Sequence, residues 1–336
     1  MRSFKENLAT IFLGLCFLFS LHRGIVFSEE GAKKPLIKIS FLSVWTRAPV
    51  LDSGYFIALE KGFYKDEGLD LSVEGGSGSI PNTELIGQKK AFVASANVYN
   101  TIRAKMKGIP VISIGMLHQS LGGGIVSLKE RNIKTPYDLK GKKVAILSGT
   151  VHEIPYKALM KRLKINRKDI EEVMTPETVT LLLSKKVDAC TSAIYHAPVL
   201  AEVAGQETSF IDYKDYGLDC YGVNLIVHED SLKENPQLIR AFLKASIKGW
   251  EYASEHRGEA VNIILKYNPA ASPKYIAKAL ERMLPYLHSP DTDKMGLFSQ
   301  NEEMWRKAQD ILFDSGELTE KKTPKMFFTN DYLPKK

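Results

Sequence analysis

The stretch GYFIALEKGFYKDEGLDLSVEGGSGS, from Gly54 to Ser79, admits two readings: a glycine-rich phosphate cradle, or a helix that hands the chain on to a strand. Asp52 or Ser53 is placed to cap a helix in which Phe56, Leu59 and Phe63 recur at helical spacing, and Gly62 marks its approach to an end. Gly68 permits a left-handed turn, and Leu69, Leu71 and Val73 then alternate as a strand. Upstream, Leu36-Ile37-Lys38-Ile39-Ser40-Phe41 alternates in the same way. Strand, helix and strand in this order predict a right-handed β-α-β unit. Its tail, Gly75-Gly76-Ser77-Gly78-Ser79, falls just past the carboxyl end of the second strand, where ligands collect in open α/β sheets. It matches neither G-x-G-x-x-G nor a lysine-bearing P-loop, so a nucleotide site has little support; a plain turn and a ligand-lining loop both stay open.

Downstream the alternation continues. Ala91–Ser95, Val111–Gly115, Gly124–Leu128, Lys143–Leu147, Val187–Cys190 and Gly222–Val227 are short apolar runs separated by helix-length segments, which argues for parallel sheets covered by helices. Two glycine- or polar-rich crossings interrupt the order, Ser120–Gly124 and Asp219–Gly222. The hundred or so residues between them suffice for an inserted lobe, and two such crossings are what a hinge needs. The expected division is residues 35–120 plus 222–334 in one lobe and 121–221 in the other. From Glu234 onward the pattern is mostly helical, with Leu238, Phe242 and Ile247 on one stripe.

At the other end, Arg2 and Lys5 precede an apolar run from Leu8 to Leu21, and Val26-Phe27-Ser28 reads as a small-residue cleavage pattern. Residues 1–28 are thus expected to be an export signal, the run being shorter than the roughly 20 residues of a spanning helix; an uncleaved anchor is the alternative. Taking away Arg2, Lys5, Arg23 and Glu6 turns 46 basic and 39 acidic residues into 43 and 38, a net charge of +5. The basic residues are interspersed with acidic ones, which does not support a nucleic-acid footprint. Cys190 and Cys220 remain; they could pair in an oxidising compartment, although the apolar setting of Cys190 favours a buried small hydrophobe.

Gly54–Tyr64 with Glu67-Gly68-Leu69-Asp70, Ile133–Pro136 with Asp138–Val144, Asn235–Ile239, Lys244-Ala245-Ser246 with Gly249-Trp250, and Phe328–Pro334 together resemble bacterial substrate-binding proteins of ABC importers, in the branch related to thiamine-pyrimidine binding. The resemblance implies an α/β fold of the two-lobed periplasmic binding protein kind (type II-like), each lobe a doubly wound mixed sheet, with a ligand in the interlobe cleft. It implies a small heterocycle as ligand, a thiamine pyrimidine precursor or a riboflavin-like molecule. The implied partners are an ABC permease and its ATPase, met by a monomer in the periplasm, with no cofactor and no nucleic acid. More distant relatives bind sulfonates and nitrate, and some pyrimidine synthases use the same fold with a cysteine-rich motif that this chain lacks. A sensor or scaffold subunit on the fold is a third possibility. Of the Asn-rich segment that the pyrimidine binders carry after the first strand, Trp45-Thr46-Arg47-Ala48-Pro49 keeps the Trp-Thr start.

A flat heterocycle is held by aromatic faces, each contributing about 0.5–1.5 kcal/mol beyond its burial, with a few polar groups fixing orientation. Residues of these types recur at strand ends and crossings: Trp45 after the first strand, Asp52 at the first helix, Asn97 and Tyr99 after the third strand, His118 and Gln119 after the fourth, Tyr195 and His196 after the Cys190 strand, and Tyr221 in the second crossing. Core packing is the alternative for each aromatic. In Ser148-Gly149-Thr150-Val151-His152-Glu153, Thr150 and Glu153 have capping-box spacing, whereas Pro155 disfavours helical geometry at Ile154 and would leave His152 and Glu153 on a loop at the cleft mouth. A carboxylate there would accept from ring N–H or amino groups and repel a sulfonate. His152-Glu153 is not followed by a second histidine at zinc-protease spacing, and no cysteine cluster offers a metal site.

Overall fold

The computed structural model describes residues 35–45, 50–76, 78–148 and 150–335. The expected export signal at 1–28, positions 46–49 of the Trp45 segment, Ser77 and Gly149 lie outside the described residues.

The chain opens β1 (Ile37–Ser43), α1 (Ser53–Glu60), α2 (Phe63–Asp66), β2 (Leu69–Gly75), α3 (Ser79–Gly87), β3 (Val93–Asn97), α4 (Val98–Met106) and β4 (Val111–Met116). It then crosses to β5 (Gly123–Leu128), β6 (Lys143–Ile146), α5 (Glu153–Arg162), β7 (Glu171–Met174), α6 (Thr178–Leu183), β8 (Ala189–Ala193), α7 (Ala197–Val203) and β9 (Thr208–Asp212). After a second crossing come β10 (Val223–His228), α8 (Ser231–Glu234), α9 (Pro236–Glu255), α10 (Arg257–Tyr267), α11 (Pro273–Met283), α12 (Pro290–Met295) and α13 (Glu302–Ser315). No helix among the described residues is long and apolar enough to cross a membrane.

The predicted β-α-β unit is present: β1 and β2 pair in parallel from Ile37 on Leu69 to Ser43 on Gly75, and Gly68 turns at φ 79°. The buried face of α1 differs from the expected one. Tyr55, Ile57 and Ala58 face inward while Phe56 and Leu59 are only half-buried, because the helix is apolar on every side and its spacing selects no face. Backbone approach selects it: a Cβ on Gly54 would lie 2.3 Å from the Trp250 ring, and one on Gly249 would lie 2.0 Å from the Gly54 carbonyl. Thus α1 and α9 touch through glycine, and Tyr55 fits among Phe41 (4.6 Å between centroids), Trp250 (5.8 Å) and Phe242 (6.3 Å).

Two five-stranded sheets form, in the orders β2-β1-β3-β10-β4 and β7-β6-β8-β5-β9. Neither is wholly parallel, which corrects the parallel-sheet expectation drawn from alternation. In the first sheet β10 runs antiparallel to β3 and β4; in the second β5 runs antiparallel to β8 and β9. These are the strands that follow a crossing. The chain leaves β4 and β9 at their carboxyl ends, so the next strand enters the other sheet at the carboxyl ends of its parallel strands and must run the opposite way. Both crossings therefore sit where the carboxyl ends of the two sheets meet. The edge strands β7 and β9 escape a pattern reading because their largely half-buried residues, with Glu171 exposed in β7, form no apolar run.

The last part of the chain does not stay with one sheet. Phe298 and Phe328 bridge to β4, and Asn330 exchanges hydrogen bonds with the backbone of Gln300 (3.1 and 2.7 Å), which accounts for the closing Phe328–Pro334 motif. Between them α13 packs on α5 of the second sheet, with Arg162 to Asp314 at 2.8 Å and Lys157 to Glu317 at 3.2 Å. One apolar cluster accordingly joins Tyr99 and Met116 to Ile125, Tyr156 and Trp305. Cys190 and Cys220 are free and buried, and burial pushes both thiols up to about 12.

Candidate ligand site at the junction of the two sheets

The two crossings are hydrogen-bonded side by side. The Gly222 amide donates to the His118 carbonyl (3.0 Å), the His118 amide to the Val223 carbonyl (3.1 Å), and Asp219 accepts from Ser120 Oγ (2.6 Å) and the Leu121 amide (3.1 Å). Three side chains rest on their glycines. A Cβ on Gly222 would lie 2.9 Å from His118 Cβ, one on Gly123 2.8 Å from His152 Nδ1, and one on Gly122, itself at φ 58°, 2.8 Å from the Tyr286 ring. His118 and Tyr195 are 5.7 Å apart by ring centroid and Tyr195 and Tyr286 6.2 Å, while His196 Nδ1 meets the Tyr275 hydroxyl at 2.9 Å. Imidazole and phenol rings from both sheets thus gather at the crossings.

Two nitrogens in this group, His118 Nε2 and His152 Nδ1, are buried without a hydrogen-bond partner. Burial lowers His118 to about 4; burial, reinforced by repulsion from His196 and His118, lowers His152 to about 3, and burial lowers His196 as well. All three are neutral at pH 7. A neutral imidazole offers one donor and one acceptor, which suits an uncharged polar ligand better than an oxyanion that wants fixed cations.

A second polar group lies at the carboxyl ends of β1 and β3. Asn82 ties them by donating to the carbonyls of Ser43 (3.0 Å) and Ser95 (2.9 Å). Asp52, buried at the start of α1, meets Ser43 Oγ, which also lies 2.8 Å from the Trp45 carbonyl. That carbonyl can only accept, and Ser43 has one hydroxyl proton. Both contacts are hydrogen bonds if Asp52 carries a proton and donates to Ser43, and burial does raise its carboxyl to about 7, the Ser43 hydrogen bond opposing the shift.

The remaining sequence candidates are placed as follows. Trp45 lies two residues past the end of β1 and is 38% exposed. Asn97 caps α4, accepting from the Asn100 amide at 2.8 Å, and its amide donates to Ser79 Oγ (3.0 Å), so the glycine-rich tail delivers the first residue of α3 to β3. Tyr99 and Tyr221 belong to the apolar cluster: the Tyr99 hydroxyl contacts Cys220 Sγ (3.1 Å), and the Tyr221 hydroxyl accepts from the Asn301 amide (2.8 Å). Gln119 is engaged by Met116, Ser299 and Ser289. The expected loop over His152 and Glu153 is corrected. The helix α5 begins at Glu153, because Pro155 falls in the first turn, where amides have no intrahelical acceptor to lose. Glu153 is buried in an ion pair with Lys157 (2.8 Å) and accepts from Ser148 Oγ (3.3 Å), so its carboxylate is occupied within the fold. Thr150 binds the Leu147 carbonyl (2.8 Å) instead of forming a capping box. Tyr275 and Tyr286 carried no local signal; each joins the group from more than 75 residues beyond Tyr195 or His196.

Two surface depressions, of about 400 Å³ beside Lys129 and Lys185 and about 320 Å³ beside Lys90 and His228, lie at the amino ends of the parallel strands, away from the ring group. No metal-binding cluster of His, Cys, Asp or Glu occurs among the described residues.

The chain is 24% identical to a formylaminopyrimidine-binding protein of Halalkalibacterium halodurans over 92% of both chains. It is 28% identical to a 4-amino-5-hydroxymethyl-2-methylpyrimidine phosphate synthase of Candida albicans over 88% of both. In three dimensions it is similar to the periplasmic aliphatic sulphonate binding protein SsuA of Escherichia coli, with a TM-score of 0.68 at 14% identity, covering 87% of this chain and 91% of that one. This likeness establishes the two-lobed fold of periplasmic binding proteins. The model of the family described as NMT1/THI5 like matches residues 52–260, more than half of the sequence, and the chain therefore belongs to the NMT1/THI5-like family.

Proposed function

We propose that the protein is the extracytoplasmic solute-binding component of an ABC importer, and that it holds a small uncharged nitrogen heterocycle, a pyrimidine precursor of thiamine or a riboflavin-like molecule, between its sheets. The observation that carries this reading is the pair of buried, partnerless nitrogens, His118 Nε2 beside the Tyr195 ring and His152 Nδ1 beside Gly123, next to the Gly122 on which Tyr286 rests. A buried polar atom without a partner costs about 1–3 kcal/mol, which a ligand supplying the partner recovers. The two lobes are residues 35–120 with 222–334 and residues 121–221, closing about the paired crossings. Moving such a protein from mostly open to mostly closed requires about 5.5 kcal/mol of preferential binding, hence ligand contacts from both lobes.

The protein works as a monomer outside the cytoplasm, delivering its ligand to a permease and ATPase. It binds without turnover; the synthase relative makes catalysis the reading to exclude. Calorimetry against 4-amino-5-hydroxymethyl-2-methylpyrimidine, its formylamino counterpart, riboflavin, an alkanesulfonate and nitrate tests the proposal. Micromolar binding of a heterocycle, about −8 kcal/mol, with the compound recovered unchanged, is expected. Tight binding of the anions alone, or conversion of the heterocycle, overturns it.

A further inference from the structure

His118 and His152 each lie against a glycine of a crossing, reached by different routes. His118 lies in the crossing that leaves the first sheet, with its ring against Gly222 of the returning crossing; His152 precedes the first helix residue of α5 in the second sheet, with its ring against Gly123. The two crossings are joined directly by the hydrogen bond from the Gly222 amide to the His118 carbonyl. The unpartnered atom differs between the rings, the far nitrogen Nε2 in His118 and the near nitrogen Nδ1 in His152. Three other polar groups of the neighbourhood are already engaged: His196 with Tyr275, Asp219 with Ser120 and Leu121, and Glu153 with Lys157.

We propose that His118 and His152 are the specificity-determining pair of this site, reading through Nε2 of one and Nδ1 of the other an uncharged ligand edge that carries an N–H donor next to a ring-nitrogen or carbonyl acceptor. The inference rests on the ligand-binding reading above and deepens it. An aminopyrimidine presents such an edge, its exocyclic amino group adjoining a ring nitrogen. Each imidazole can adopt the tautomer that its ligand atom needs, so selection works by pairing: a ligand whose edge leaves either nitrogen without a partner forfeits a buried hydrogen bond.

The test uses 4-amino-5-hydroxymethyl-2-methylpyrimidine as probe and crossed amide substitutions. Glutamine places an amide atom near the imidazole Nε2 position and asparagine one near Nδ1. His118→Gln and His152→Asn are therefore expected to bind the probe within about fivefold of wild type, whereas His118→Asn and His152→Gln lose about tenfold or more, the equivalent of one buried hydrogen bond. A merely structural role would not produce this crossed pattern. Should a variant fail to fold, ¹⁵N-histidine NMR of the wild-type protein decides: the His118 Nε2 and His152 Nδ1 signals move on adding the probe. Probe binding that leaves both signals unmoved, or equal affinity in all four folded variants, overturns the inference while the binding function stands. If neither the pyrimidine nor riboflavin binds wild type, both fail together.

Discussion

Replacing Asp52 by asparagine isolates one titration that the fold makes unfavourable. In the unfolded chain the carboxyl titrates at 3.8; buried beside Ser43 it titrates at about 7. Between these values the native state holds a proton that the unfolded state has released. The stabilisation is therefore complete below pH 3.8 and is lost as pH rises through 7. The shift is about three pH units, and at 1.36 kcal/mol per unit it corresponds to about 4 kcal/mol. The asparagine side chain would keep an acceptor and a donor toward Ser43 and the burial, but would never ionise. Asp52→Asn should therefore match wild type only below pH 3.8, exceed it by about 1.6 kcal/mol at pH 5 and by about 4 kcal/mol at pH 8, the latter a rise in Tm of about 8 °C for a chain of this size. Urea unfolding of both proteins at pH 5, 6, 7 and 8 measures the difference directly. The histidines titrate alike in both and cancel, provided the sites are far enough apart to be additive. A difference that stays flat to within about 0.5 kcal/mol over this range would refute a proton on Asp52 and the hydrogen-bond assignment at Ser43.

Three further outcomes follow from the geometry. His118 and His152, lowered from 6.5 to about 4 and about 3, leave the native state short of protons relative to the unfolded one below pH 6.5, so they contribute stability at neutral pH that is lost as pH falls from 6.5 toward 4. His118→Asn should flatten that acid limb in urea midpoints measured from pH 7 to 4. Gly54→Ala forces a methyl to within 2.3 Å of the Trp250 ring, and calorimetric scanning should register about 3 kcal/mol of overpacking or outright failure to fold. Gly123→Ala meets the edge of the His152 ring at 2.8 Å; because the ring can tilt away, about 1 kcal/mol of stability is lost in denaturation while probe affinity falls about tenfold.

Legibility in the sequence tracked how local each cause is. The β-α-β unit could be read from Gly54–Ser79 because strand alternation, the Gly68 turn and helical spacing act within a few residues. The face of α1 could not, since it was set by Gly249 and Trp250 nearly 200 residues away. Strand direction at β5 and β10 depended on which end of a distant sheet the chain re-entered. Pro155 misleads a local reading because its effect depends on its position in the helix, harmless in the first turn and costly within. Tyr99, Tyr221 and Tyr195 look alike as aromatics near strand ends, yet the first two meet Cys220, Asn301 and Trp305 in the core while the third faces His118 and Tyr286.

By itself the sequence determined the alternation of strands and helices, the two places where the chain changes sheet, and the family likeness, all of which rest on contacts between near neighbours or on short motifs. Only the tertiary structure decided which polar atoms are left without partners at the junction, that Lys157 is shared between Glu153 and the distant Glu317, and that Asp52 is driven toward its neutral form. Burial is a property of the assembled surroundings, supplied here in part by residues more than a hundred positions apart such as Lys157 and Glu317, and a local pattern does not encode it.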